Sequence, residues 1–281
     1  MLSAFERRKT KKALFYFFFN KSLFHCKMGD MFVCIHGTVM ILAWMGFGGP
    51  GMLFARYGRV LRLGNKRQLL GKSIWFQIHR FYLSVSALLT LFGFFFITIN
   101  GYGAWINSAD ASSLMIAHSI IGTLVLCGVI LQIWLALYRC HPNSRFRFLF
   151  NWSHRIIGNF SFIFALCNIF IMAFVLTTYQ IVLIVIVCLW TMCNLITVIC
   201  FEIIQYYYRK ASRLLALNIR VNSVNNQENL QRNSVQDVET INNPTVDNPR
   251  LNRVRLVLFL TNYFISFSLC IPIIVLIWLQ N

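Results

Sequence analysis

Six stretches of mostly apolar residues divide this chain, at 31 to 54, 75 to 99, 114 to 138, 155 to 178, 180 to 205 and 256 to 279. A bilayer core of roughly 30 Å needs about 20 such residues per helix, so each stretch is long enough to cross once. Their apolarity runs on without alternating, which excludes a β-barrel. The fold class expected is an all-α integral membrane protein with six transmembrane helices. Composition agrees: 58% of residues are hydrophobic and only 12% charged, where a soluble domain carries about a quarter charged. The joint at Thr177, Thr178, Tyr179 and Gln180 is so short that the fourth and fifth helices are expected to be antiparallel neighbours.

The chain has 26 Lys and Arg against 8 Asp and Glu, a net charge of +18. In a soluble protein that balance would suggest nucleic acid. Here the charges cluster between apolar runs, which points to a lipid surface instead. One connection carries Arg56, Arg59, Arg62, Lys66, Arg67, Lys72 and Arg80, another Arg139, Arg145, Arg147 and Arg155, and a third runs from Arg209 to Arg255. The alternate connections carry only Asp110. Cytoplasmic loops accumulate Lys and Arg, so the three basic loops are expected to be cytoplasmic. Counting back then puts the N-terminus outside, against the sign of Arg7, Arg8, Lys9, Lys11, Lys12, Lys21 and Lys27. Residues 1–30 are accordingly read as a basic N-terminal segment, either a targeting region with Ala13 to Phe19 as its apolar stretch or the start of a truncated or atypical version of a longer protein. The remaining division is a four-helix core over 31–178, a fifth helix over 179–208, a flexible polar loop over 209–255 with Pro244 and Pro249, and a sixth helix over 256–281. The nine cysteines follow no repeating spacing and read as small apolar fillers. No phosphate-binding loop or Ser/His/Asp spacing is present.

Ionisable residues inside a membrane are costly, and each of the first four helices carries one histidine inside it or at its edge: His36, His79, His118 and His154. Each lies near the start of its helix. Because consecutive helices run in opposite directions, His36 and His118 fall near the outer face and His79 and His154 near the inner one. Two histidines at one depth can clamp one haem iron through both axial positions, and two such pairs make a transmembrane electron path. A flat macrocycle needs a gap beside its ligand. Gly122 and Gly158 each follow a histidine by four residues, on the same helical face. His25 and His141 lie outside the spans and read as solvated or interfacial, not as ligands.

A resemblance becomes specific at these residues. The run His36-Gly37-Thr38-Val39-Met40-Ile41-Leu42-Ala43-Trp44, with Pro50-Gly51 and Ala55-Arg56-Tyr57, resembles the haem-binding core of the cytochrome b561 family, particularly its ferric-chelate reductase branch. Trp75-Phe76-Gln77-Ile78-His79-Arg80 follows, then Ala117-His118-Ser119-Ile120-Ile121-Gly122 with Gln132 and Arg139, then Phe150-Asn151-Trp152-Ser153-His154-Arg155 with Gly158. The resemblance covers about residues 31 to 175. It implies two b-type haems, ligated by the first helix with the third and the second with the fourth, and electron transfer from cytoplasmic ascorbate to monodehydroascorbate or ferric iron outside. His79 and His154 would then hold the entry haem, and His36 and His118 the exit haem. That branch often carries outer reelin and DOMON domains before the core, which thirty residues cannot contain.

Ascorbate is an anion at neutral pH, and Lys72, Arg80, Arg147 and Arg155 are the cationic candidates nearest the inner histidines. Tyr102, Trp105 and Asn107 are candidates for the outer acceptor site. The partners expected are membrane lipid, ascorbate, ferric iron or monodehydroascorbate and a second copy of the chain as a homodimer, and not nucleic acid. Two rival functions remain: a haem-bearing subunit that passes electrons to a partner protein, and a haem-free six-span transporter or receptor.

Overall fold

A computed structural model of the protein describes residues 28–59, 68–100, 112–138, 141, 144–230 and 249–279. It contains six helices long and apolar enough to cross a membrane: Met31–Tyr57, Ile74–Ile99, Ser113–Leu137, Arg147–Val175, Gln180–Asn218 and Leu251–Leu279. The chain is an all-α integral membrane protein, and the only strands among the described residues are the short pairs β1 (Gln68–Leu69) and β2 (Lys72–Ser73), joined as a hairpin. The basic segment up to residue 27, the loop residues Arg62, Lys66, Arg67 and Arg139, and the outer candidates Tyr102, Trp105 and Asn107 lie outside the described residues.

The first span is built in three pieces: α1 (Met28–Ile41), a π-helical segment (Leu42–Gly48) and α2 (Gly49–Tyr57). Pro50 explains the change of pitch, because it has no N–H to give and its ring crowds the carbonyl one turn earlier. The glycines of this stretch admit close neighbours: a Cβ on Gly49 would stand 2.9 Å from Trp190 Cζ2. The second, third and fourth spans are α3 (Ile74–Asn100), α4 (Ser113–Leu137) and α5 (Arg147–Val175). Ser112 caps α4, its hydroxyl accepting from the Met115 N–H. The fourth span begins earlier than its apolar run, so Arg147 and Arg155 sit on helix and not in a loop.

The fifth span, α6, runs from Gln180 to Leu230, and the sixth, α7, from Pro249 to Leu279. Helix therefore occupies much of the stretch expected to be a flexible loop. The reason is visible locally: no Gly or Pro falls between Gln180 and Asn243, and Lys210 to Leu217 is rich in Ala, Leu, Lys and Arg, the strongest helix formers. At 1.5 Å per residue α6 is on the order of 75 Å long, well beyond what a bilayer core spans.

The first span packs along α3, α4 along α5, and α6 along α7, which also rests on α1. Buried Cys34, Ile41 and Met45 of the first span meet Leu183, Val187 and Trp190 of α6 and Cys270, Ile273 and Ile277 of α7. Polar ties stitch these outer helices together: Trp190 Nε1 donates to Ser266 Oγ at 3.1 Å, Asn262 Nδ2 to Thr197 Oγ1 at 3.1 Å, and Trp278 Nε1 to Thr38 Oγ1 at 3.0 Å. Large side chains such as Phe92, Phe95, Leu124, Trp134 and Ile271 point outward, as a lipid-facing surface requires.

Candidate functional site

The four histidines stand on four successive spans: His36 on α1, His79 on α3, His118 on α4 and His154 on α5. Each is half-buried. The rings of His36 and His118 meet edge to face, with centres 6.1 Å apart and planes at 83°.

Two of the rings are pinned by main-chain carbonyls. His36 Nδ1 lies 2.8 Å from Gly93 O of α3, and His79 Nδ1 lies 3.1 Å from Gly51 O of α2. A carbonyl only accepts, so in both bonds Nδ1 carries the proton and the neutral ring keeps its lone pair on Nε2. The bonds run crosswise between antiparallel helices. Gly51 follows His36 by 15 residues and Gly93 follows His79 by 14, so each span's glycine comes level with the other span's histidine. Fourteen residues at 1.5 Å each place the two levels about 21 Å apart along the helices. The extra residue on the first span falls where the π-helical segment lies, whose turns hold one residue more than α-turns. The carbonyls come this close because there is no side chain in the way: a Cβ on Gly51 would stand 2.6 Å from Leu83 Cδ2, and one on Gly93 2.9 Å from Met40 Cε.

The α4/α5 pair follows the same spacing with side-chain amides. Gln132 follows His118 by 14 residues and donates Nε2 to the main-chain oxygen of His154 at 2.8 Å. Asn168 follows His154 by 14 residues, and its oxygens face the His118 ring. The two glycines of this pair look onto those amides. A Cβ on Gly122 would stand 3.2 Å from Asn168 Nδ2, and one on Gly158 3.5 Å from Gln132 Nε2. The space beside Gly122 and Gly158, expected to be a gap, thus borders an amide of the neighbouring helix in each case.

The basic candidates gather at the N-terminal ends of α3 and α5. Lys72 is exposed on β2, just before α3. Arg80 is exposed, its guanidinium 6.0 Å from the centre of the Phe76 ring, which in turn lies 6.4 Å from His79. On α5 the guanidinium of Arg147 lies 5.2 Å from the Phe150 ring, and Phe150 stacks on His154 at 5.9 Å with planes 6° apart. Both ends therefore repeat one unit of histidine, aromatic ring and arginine, the last two in cation–π range. Arg155 is exposed beside His154.

Sequence reasoning passed over Gly51, Gly93 and Asn168 as ring partners, and it found no role for Glu202. The structure gives Glu202 one: its Oε1 accepts from Arg56 Nε at 2.9 Å, Arg56 Nη2 at 2.7 Å and the Tyr57 hydroxyl at 2.8 Å, tying the end of the first span to α6.

Known proteins resemble about half of this chain in sequence. A ferric-chelate reductase 1 homolog of Drosophila melanogaster is 34% identical over 142 residues, which is 50% of this chain and 20% of that protein. The chain is similar to the ferric-chelate reductases. Ferric-chelate reductase 1 of Homo sapiens is 31% identical over 137 residues, 49% of this chain and 22% of the human protein. The mouse ferric-chelate reductase 1 is 31% identical over 136 residues, 48% of this chain and 22% of its own length. The chain spans about a fifth of the length of these reductases. No family profile and no solved structure matches it.

Proposed function

We propose that this chain carries electrons across a membrane through two bis-histidine b-type haems, from ascorbate at its basic ends to ferric iron or monodehydroascorbate at the opposite face. His36 with His118 would hold one haem, and His79 with His154 the other. The observation that carries this reading is the 6.1 Å between the His36 and His118 ring centres. Two imidazoles bonded at about 2 Å to opposite sides of one metal ion have ring centres about 6 Å apart, and their planes are free to take any angle about the shared axis. The donor set agrees. His36 and His118 meet as two imidazoles, a donor pair that suits a metal whose other ligands come with a macrocycle.

Held by His36 with His118 and by His79 with His154, haem would supply one-electron chemistry. The protein's part is position and environment. The carbonyls of Gly93 and Gly51 hold His36 and His79 in the tautomer that leaves Nε2 free to ligate. The spacing of 14 residues that sets the two histidine levels about 21 Å apart matches the thickness left between two sites near opposite faces of a ~30 Å core. Lys72, Arg80, Arg147 and Arg155 supply positive charge around His79 and His154, where an ascorbate anion would be drawn in. Their clustering at the ends of α3 and α5 also supports a cytoplasmic position for those ends. Ferric reduction is the activity named in the similar proteins, and the outer acceptor proposed here rests on that likeness.

An absorption spectrum of the full chain, purified in detergent from cells supplied with haem, tests the reading. Two haems per chain with a low-spin b-type spectrum, partly reduced on adding ascorbate and reoxidised by a ferric chelate, are expected. Folded protein with no haem band would overturn it in favour of a transporter or receptor. Haem reduced by ascorbate but inert toward ferric iron would leave an electron-transfer subunit for a partner protein.

A further inference from the structure

We infer that Asn168 is a positioning residue for His118, accepting the proton of its Nδ1, and that it sets the electronic character of the His36/His118 site alone. The inference rests on the two-haem reading and deepens it. Its starting point is a pair of orphans. His118 Nδ1 and Asn168 Oδ1 are both buried, and neither has a hydrogen-bond partner within bonding geometry. They belong to facing residues: on α5 the His118 ring meets the main-chain oxygen of Asn168 and, after it, the side-chain oxygen, and since Asn168 lies inside α5 its main-chain oxygen already serves the helix, which leaves Oδ1 for the ring. Burying a donor and an acceptor without partners costs about 1–3 kcal/mol for each group. A small rotation that joins them removes both costs.

Three further observations place the amide for this task. Its Nδ2 end sits over Gly122, one turn along from His118, where a Cβ would stand 3.2 Å away, so the glycine leaves the amide room that a side chain would narrow. The other half of the α4/α5 pair is built likewise, with Gln132 lying over Gly158 and bonded to the His154 main chain. And the remaining two histidines each give Nδ1 to an oxygen on the neighbouring antiparallel helix, 14 or 15 residues past that helix's own histidine. Asn168 occupies this position relative to His154, so His118 acquires the same kind of acceptor as His36 and His79.

The consequence is electronic. A ligating imidazole whose other N–H is held by an oxygen is a stronger donor to the metal and favours the ferric state; without that acceptor the ferrous state gains. The two amides stand at different levels, Asn168 by the ring of His118 and Gln132 by the main chain of His154, so they act on different sites. Asn168→Leu should therefore raise the midpoint potential of one haem and move its low-spin ferric resonance, leaving the other haem where it was. Asn168→Asp, which keeps an oxygen in place and strengthens it, should move the same haem in the opposite direction. Gln132→Leu should leave that haem unmoved.

The experiment is potentiometric titration, with low-temperature electron paramagnetic resonance, of the full-length wild type and the three variants, the affected haem being identified as the one absent from His36→Leu. Opposite shifts of that haem in the Leu and Asp variants are the expected result. The assignment is overturned if both variants leave that haem unmoved, if both haems move together, or if the haem tied to His154 moves instead. Should Asn168→Leu fail to accumulate as folded protein, Asn168→Asp alone still decides, because its shift has a stated sign. Wild-type protein with no haem would sink the two-haem reading itself, an outcome separate from wild-type haems that ignore Asn168.

Discussion

Between the first two spans the histidine rings are held by main-chain oxygens, of Gly93 and Gly51; between α4 and α5 the corresponding positions are filled by the side chains of Gln132 and Asn168. The spacing is the same in both pairs, 14 or 15 residues beyond each helix's own histidine, and the chemistry differs. A main-chain acceptor fixes a ring without spending a polar side chain in the membrane, but it demands that two backbones approach closely, hence glycine. A side-chain acceptor leaves the contact adjustable, at the cost of a buried amide that must find partners. The first pair is thus rigid in its tautomers and sensitive to volume. Beside Gly158 the second tolerates volume and is sensitive to polarity, while between the histidine levels it too packs closely, a Cβ on Gly128 meeting Ser161 Oγ.

The pairing across the two units gives the largest expected effect. If His36 and His118 serve one metal, His36→Leu and His118→Leu should each halve the haem content, and the double variant should lose no more than either single one, because residues acting as a unit are not additive. Electron transfer to an outer ferric chelate should stop in all three while ascorbate still reduces the haem that remains. A double variant with markedly less haem than either single variant would show that the two rings serve different sites.

Glycine substitutions test the rigid half next. A Cβ on Gly51 would meet Leu83 Cδ2 at 2.6 Å, with Leu83 Cγ and Tyr82 Cβ both at 3.1 Å, so more than one flexible tip must give way. Gly51→Ala is expected to cost about 1–3 kcal/mol, the range for overpacking, and to disturb the haem proposed at His79. Gly93→Ala meets chiefly the end of Met40, a side chain that can swing aside, and should cost clearly less. Thermal unfolding in detergent, followed at the haem band and by helix content, ranks the two. Equal costs would mean that the closeness at Gly51 does not govern the carbonyl's position.

How much of this could be read from sequence divides along the same lines. The spans were legible because apolar length in a bilayer needs no tertiary knowledge, and so was the alternation of His36, His79, His118 and His154 in depth, which follows from antiparallel helices alone. Asn168, Gly51 and Gly93 were not. A residue 14 or 15 further on returns close to its histidine's own helix face, as many residues do, and the offset acquires meaning only when an antiparallel neighbour brings two such offsets together. The helix from Arg209 to Leu230 was missed for another reason: its Asn, Gln and Ser suggested disorder, whereas the absence of any breaker and the run of Ala, Leu, Lys and Arg let α6 continue. Glu202 carries no motif, and its partners Arg56 and Tyr57 are 146 and 145 residues away in sequence.

That carboxylate offers a smaller effect, on the seam between the histidine-bearing spans and α6. Arg56 and Glu202 are 65% and 43% exposed, and an exposed ion pair contributes about 0–1 kcal/mol. The Tyr57 hydroxyl belongs to a fully buried side chain and depends on the same oxygen. Glu202→Gln keeps an acceptor for it and should cost less than about 1 kcal/mol, whereas Glu202→Leu strands the hydroxyl and should cost about 1–3 kcal/mol. Comparable losses in the two variants would mean that the charge, and not the tyrosine, holds the seam.

The smallest effect carries the opposite sign and falls in the tolerant half. A Cβ on Gly158 would stand 3.5 Å from Gln132 Nε2 and 3.8 Å from its Cδ, ordinary contact distances, and Gly158 lies inside the helix α5. Replacing a mid-helix glycine with alanine gains up to about 1 kcal/mol from the unfolded chain's lost freedom. Gly158→Ala should therefore leave stability unchanged or raise it slightly, where Gly51→Ala lowers it. Haem content separates two uses of the same glycine. If the residue serves only the contact with Gln132, the variant keeps both haems and its unfolding temperature rises. If the open face one turn from His154 is needed by a macrocycle edge, the variant folds as stably as the parent yet loses the haem of that level, and volume would then matter beside Gly158 as well, contrary to the contrast drawn between the helix pairs.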